Sequence, residues 1–163
     1  MKSTKALFLF LALILPVCIF IFLKFFGRNE FDVKPLFWDS QPTADSSCPD
    51  VAVPYVVHDS IRSQLLSGND SLVVIAFNDE KGIDAANQIK RIKDETANLP
   101  IGLLTLSVSE RHLFWKTCVL FLKEPADMAV VDRRGRIRGQ YILADREDVD
   151  RLLTEVSIIL KRY

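Results

Sequence analysis

The sequence predicts an α/β domain with a mixed central sheet, carried behind an N-terminal membrane helix. Three observations predict it. An uncharged apolar run lies near the N-terminus. A continuous apolar stretch of strand length, SLVVIAF, lies in the middle of the chain. From there to the end, strand-length and helix-length apolar patterns alternate.

Ala6 to Leu23 form 18 residues without a charge. A helix over them spans roughly 27 Å, about the hydrocarbon thickness of a bilayer. Three features oppose removal as a leader. The run is longer than a usual leader's apolar region, no small-residue cleavage site follows it, and a bulky Val17 precedes Cys18 where a lipoprotein box needs a small residue. An uncleaved signal anchor over 1–27 is expected, with residues 6–26 in the bilayer and Lys24 reaching the headgroups. Lys2 and Lys5 on one side oppose Lys24 and Arg28 on the other, so charge alone orients the span weakly.

Residues 28–54 carry Pro35, Pro42, Pro49 and Pro54 among Ser and Asp and read as an extended linker. Phe31, Leu36, Phe37 and Trp38 are too apolar for a free linker and belong on a domain surface or at the membrane interface. The domain is expected over 55–163. Tyr55-Val56-Val57 is a short strand, and Asp59 to Leu66 one or two helical turns. Ser71 to Phe77 is a central buried strand. Asp84 to Glu95 is a helix with Ala85, Ile89 and Ile92 on one face. Ile101 to Val108 is the second strand. Glu110 to Lys123 reads as a helix, apolar nearly all round, ended by Pro125. Met128 to Asp132 and Arg136 to Tyr141 form a hairpin around Arg133-Arg134-Gly135. Asp145 to Lys161 is the last helix, capped by Asp145, with Val149, Leu152, Leu153, Val156 and Ile159 as its stripe. A βαβ unit followed by ββα is the thioredoxin order, with the first strands parallel and the last two antiparallel.

Composition bounds the function. The 21 basic and 21 acidic side chains balance, so no basic face argues for nucleic acid. Three cysteines are too few for a disulfide scaffold, and no pair has CxxC spacing. The two histidines, His58 and His112, have no short spacing to a further ligand and read as surface or cap residues.

VDRRGRIRGQY, followed by an acidic-led helix, resembles the C-terminal part of SCO/SenC proteins, the membrane-tethered, thioredoxin-like copper chaperones of cytochrome oxidase assembly. SLVVIAFND resembles the strand running into their metal loop, and VPYVVHDSIRSQLL sits where they carry a short N-terminal strand and turn. The resemblance covers Pro54 to the C-terminus and implies a thioredoxin-like fold with the domain on the periplasmic side of a bacterial inner membrane. The family's copper site is a CxxxC after the first core strand and a distant His. Here Glu80 and Asp84 stand near the cysteine positions and Glu124 near the His position. Carboxylates are hard ligands and do not replace thiolates for Cu(I). The resemblance therefore implies a degenerate member with no catalytic residue and no metal or other cofactor. Its role would be a non-catalytic binding or assembly module with a protein partner in respiratory complex assembly. The alternative is a copper-binding or thiol-redox protein using Cys48 and Cys118.

Each remaining candidate has two readings. Glu80 and Asp84 form a carboxylate pair at helical spacing, or more simply a solvated loop residue and a helix cap. Cys48 and Cys118 form a disulfide in an oxidising compartment, or Cys118 is a small buried residue on an apolar helix. Arg133, Arg134, Arg136 and Arg138 dock an anionic lipid surface or an acidic partner, or they are the charged solvent face of an edge hairpin.

Overall fold

The computed structural model describes the chain apart from residues 1, 27–31, 44–46, 67, 79–81, 108 and 162–163, and apart from the side chains of 2–9 and 26. The chain divides into two compact units, Met1–Phe31 and Asp32–Tyr163.

The first unit contains one helix, α1 (Lys2–Phe26), with Pro16 inside it. Its described large apolar side chains, from Phe10 to Phe25, are exposed. Among the described residues no helix is long and apolar enough to cross a membrane. The described side chains of α1 run only from 10 to 25, so the expected span over 6–26 extends beyond them.

The second unit is built on a four-stranded mixed sheet flanked by helices. LVVIAF offers no polar position, so the strand β1 (Leu72–Phe77) must be covered on both faces, and all six of its residues are buried. β2 (Ile101–Leu106) pairs with it in parallel, Leu72 beside Ile101, and β3 (Met128–Asp132) antiparallel, Leu72 beside Asp132. β4 (Ile137–Tyr141) adds antiparallel to β3, which gives the order β2-β1-β3-β4. A helix α2 (Asp59–Leu65) precedes β1, and α3 (Gly82–Thr96) links β1 to β2. A short helix α4 (Glu110–Phe114) and a π-helical turn (Trp115–Val119) link β2 to β3, and α5 (Arg146–Leu160) closes the chain. The expected order and both expected strand directions are present.

Alternation along the strands sorts the core into two layers. Leu72, Val74, Ala76, Met128 and Val130 meet Ala85 and Ile92 of α3 and Val149, Leu152, Val156 and Ile159 of α5. Val73, Ile75, Phe77, Ala129 and Val131 meet Tyr55, Val57, Leu65, Trp115, Val119 and Phe121. A bulge changes the parity of β4. Val130 faces Gly139 but Val131 faces Ile137, which leaves Arg138 as the extra residue. Ile137 consequently joins one layer and Tyr141 the other. The cap of α5 is as expected, the Asp145 carboxylate accepting the Glu147 N–H at 2.9 Å.

Three expectations are corrected. Tyr55–Val57 is not a strand. It is a strap segment whose Tyr55 N–H donates to the Phe37 carbonyl at 2.9 Å and whose Val57 N–H donates to the Gly135 carbonyl at 2.8 Å. The helix expected over Glu110 to Lys123 ends at Val119. The chain widens into a π turn, with the Leu120 N–H bonded to the Trp115 carbonyl at 2.8 Å, and then breaks with Phe121 at φ 50°. Gln140 Nε2 satisfies the carbonyls freed there, donating to Leu120 at 2.7 Å and Phe121 at 3.1 Å. The linker expected over 28–54 belongs, from Asp32 on, to the compact unit. The Leu36 N–H donates to the Ile137 carbonyl at 2.8 Å, and Leu36, Phe37 and Val51 pack on the core. The strap thereby covers the outer edge of β4, which would otherwise present unpaired backbone groups.

Candidate functional site

A covalent tie fixes the strap to the domain. Cys48 and Cys118 form a disulfide across 70 residues of chain, with their Cα atoms 5.2 Å apart. Of the two readings of Cys118, small buried residue and disulfide partner, the structure satisfies both: it is only 6% exposed and it is bonded. Trp115, Cys118 and Val119 are buried together on the π turn, while Phe114 stays 43% exposed.

Beside the disulfide lies a cleft of about 340 Å³. One wall is the strap, with Pro49, Val51, Ala52 and Pro54. The opposite wall is Phe114, Cys118 and Val119. Tyr55, Val56, His58 and Ile61 form the rest. The wall-bearing segments also carry Val53, Val56, Leu113 and Phe114, all large apolar side chains left exposed. Single exposed apolar residues are ordinary; here several lie on the segments that form an apolar concavity.

Polar contacts hold the walls in place. The Tyr55 hydroxyl donates to the Val119 carbonyl at 2.8 Å, and its ring meets Phe121 edge-on at 4.9 Å. Burial pushes the Tyr55 hydroxyl up to about 12. His58 caps α2, its Nδ1 accepting the Ser60 N–H at 3.3 Å. The Arg111 guanidinium lies 5.0 Å over the Trp115 ring and also donates to Gln64, which ties α4 to α2. The ring of His112 is held by the Ser107 carbonyl at 2.5 Å.

The arginine hairpin separates into two pairs. Asp132, fully buried, accepts from the backbone N–H groups of Arg134 at 2.9 Å and Arg136 at 3.0 Å, and from Arg136 Nε at 2.7 Å. Arg138 Nη1 reaches the same carboxylate at 3.4 Å, and its Nη2 donates to the Val33 carbonyl at 2.6 Å. Arg136 and Arg138 are therefore spent inside the protein, and the bulge is what turns Arg138 inward. Both readings of the hairpin, docking surface and charged solvent face, put all four arginines outward; Arg133 and Arg134 are exposed, but Arg138 is only 7% exposed. Gly135, at φ +80°, has no room for a side chain, because a Cβ would lie 2.9 Å from the Val57 carbonyl.

Asp84 is exposed in the first turn of α3, Glu124 is exposed before Pro125, and Glu80 lies outside the described residues. Among the described residues no three His, Cys, Asp or Glu side chains are grouped to hold a metal ion. The cleft itself was not anticipated from sequence. Its signal was the excess of apolar residues in the supposed linker. The chain matches no family model and no curated protein.

Proposed function

We propose that this chain is a membrane-anchored, thioredoxin-like protein that binds a protein partner through the disulfide-tied cleft without catalysing a reaction. The observation that carries the reading is the apolar cleft with its exposed rim, Val53, Val56, Leu113 and Phe114. The sheet order β2-β1-β3-β4, with a parallel first pair and antiparallel β3, supports the thioredoxin-like assignment. The uncharged run Ala6–Leu23 within the helical segment Lys2–Phe26 supports an anchor in a bacterial inner membrane. The SCO-like segments favour the periplasmic side and respiratory oxidase assembly as the setting, with this chain as a degenerate SCO/SenC relative. Arg133 and Arg134 are a secondary contact for an acidic partner.

The test is site-specific photo-cross-linking of the full chain in its own cells. A cross-linker at Phe114 is expected to capture a discrete partner, one at the exposed Ser157 of α5 none, and Val56→Glu is expected to reduce capture at Phe114. Equal capture at both positions would sink the cleft as the binding surface. Sustained turnover of a disulfide reporter by the full chain would contradict the non-catalytic half. Extraction of the chain by alkaline carbonate would contradict the anchor.

A further inference from the structure

We propose that the Cys48–Cys118 bond is an exchangeable disulfide, opened by a protein dithiol that attacks Cys118 Sγ from the cleft, and that its opening releases one wall of the cleft. The regulatory consequence rests on the reading of the cleft as the binding surface; the exchange itself does not.

Three observations carry this. First, the two sulfurs are unlike. Cys118 lines the cleft and is otherwise buried, whereas Cys48 is half-buried in the strap. A nucleophile entering the cleft meets Cys118, and the departing charge falls on Cys48, the sulfur with more access to water. Charge development at the better-hydrated sulfur favours that direction. Second, the cleft wall formed by Pro49, Val51, Ala52 and Pro54 follows Cys48 directly in the chain. Among the described residues, 47–54 is tied by the disulfide, by the packing of Val51, and by an exposed hydrogen bond from Gln41 Nε2 to the Val51 carbonyl at 3.1 Å. The disulfide is the strongest of these ties. Third, the opposite wall has a tie of its own. Arg111 lies over Trp115 and donates to Gln64 of α2, and the Tyr55 bond to the Val119 carbonyl pins the strap only beyond Pro54, so breaking the disulfide frees residues 47–54 and leaves the π turn in place.

The chemistry is a two-step exchange. A thiolate of the partner bonds to Cys118 Sγ and the Cys48–Cys118 bond breaks. Cys48 leaves as a thiolate and takes a proton from water. The partner's second thiol, after losing its proton, attacks the partner's own sulfur in the mixed disulfide. Cys118 then leaves and is protonated in turn. Two electrons and two protons pass from the partner's dithiol to this chain, and the partner ends as a disulfide.

The test uses the oxidised full chain in detergent micelles, with reduced thioredoxin as the protein dithiol and glutathione as a monothiol at matched thiol concentration. Alkylation of newly formed thiols, read by mass, is expected to proceed at least tenfold faster with thioredoxin. A thioredoxin lacking its second cysteine is expected to be trapped on Cys118. Cleavage within residues 47–54 by a broad-specificity protease is expected to quicken on reduction while α5 is cut no faster. A bond that resists thioredoxin in the folded chain, yet is reduced once the chain is unfolded in urea, would overturn the exchange. Trapping on Cys48 would overturn its direction. Unchanged cleavage in 47–54 would overturn the release of the wall. These readouts need no bound partner, so they separate from the cross-linking test. Reduction that frees the wall but leaves capture at Phe114 undiminished would overturn the regulatory consequence alone.

Discussion

The two faces of the sheet are covered in opposite ways. On one, α3 and α5 lay regular apolar stripes over Leu72, Val74, Met128 and Val130. On the other, the cover is a strap, the short helices α2 and α4 and a π turn, and it is stapled by a disulfide and by side chains that satisfy stray backbone groups. Regular helices close their own hydrogen bonds and need only an apolar stripe to dock. Irregular segments do not, so each must be fixed by a particular partner: Gln140 for Leu120 and Phe121, Tyr55 for Val119, Arg138 for Val33. A surface held by few specific ties leaves a concavity and is easier to change than one held by a packed stripe. The cleft lies on that face.

The comparison breaks most readily at Asp132, which anchors the hairpin and, through Arg138, the strap. Asp132→Ala leaves two guanidinium groups without their buried carboxylate and is expected to destabilise the full chain by about 3–5 kcal/mol. Urea denaturation in micelles, followed by the fluorescence of buried Trp115, checks it. A loss near zero would mean that the arginines find water instead. Next comes the staple. Replacing both Cys48 and Cys118 by Ser is expected to remove about 4 kcal/mol, the chain-entropy value for a loop of 70 residues. Leu152→Ala, in the stripe of α5, is expected to remove about 2–5 kcal/mol. The two differ in where the loss appears. Hydrogen exchange should quicken mainly in the strap and α2 for the double Ser variant and through α3 and α5 for Leu152→Ala. The same pattern for both would show that the two faces are one cooperative unit.

Alkali sharpens the contrast further. Tyr55 on the strap face is pushed up to about 12 by burial. Tyr141 on the helical face is also raised, by burial first and then by its hydroxyl's hydrogen bond to Glu155 at 2.7 Å. A hydroxyl whose folded value lies above its unfolded value near 10 holds its proton longer in the folded state. Its contribution is complete below about pH 10 and is lost as pH rises toward 12. For Tyr55 the loss is on the order of 2–3 kcal/mol. Tyr55→Phe is expected to flatten the stability profile between those values while costing about 1 kcal/mol at neutral pH for the bond to Val119. A profile as steep as that of the unaltered chain would assign the alkaline loss to Tyr141. The smallest effect is at the cap of α5, where Asp145→Ala is expected to cost about 1 kcal/mol, confined to that helix.

Legibility followed the same division. The stripes Ala85, Ile89, Ile92 and Val149, Leu152, Val156, Ile159 could be read as periodicities, and so could the wholly buried strand Leu72–Phe77. The Asp145 cap was legible because its chemistry is local. The strap was misread because Pro-rich composition signals extension but not what the extended chain lies against. Leu36 and Phe37 hinted at burial without naming a surface. The end of the helix at Val119 was illegible because it depends on Gln140, which is distant in sequence. Arg138 looked like a surface charge because the bulge that turns it inward is a property of the β3–β4 pairing.

The sequence by itself determined the uncharged run Ala6–Leu23, the order of strands and helices, the strand directions and the apolar stripes, since each depends on residues near one another in the chain. Only the tertiary structure decided that Cys48 meets Cys118, that Arg138 turns inward to the Val33 carbonyl, and that a cleft opens between the strap and the π turn. Those contacts join segments as far as 105 residues apart, and no local period or propensity encodes which distant group will satisfy a buried polar atom.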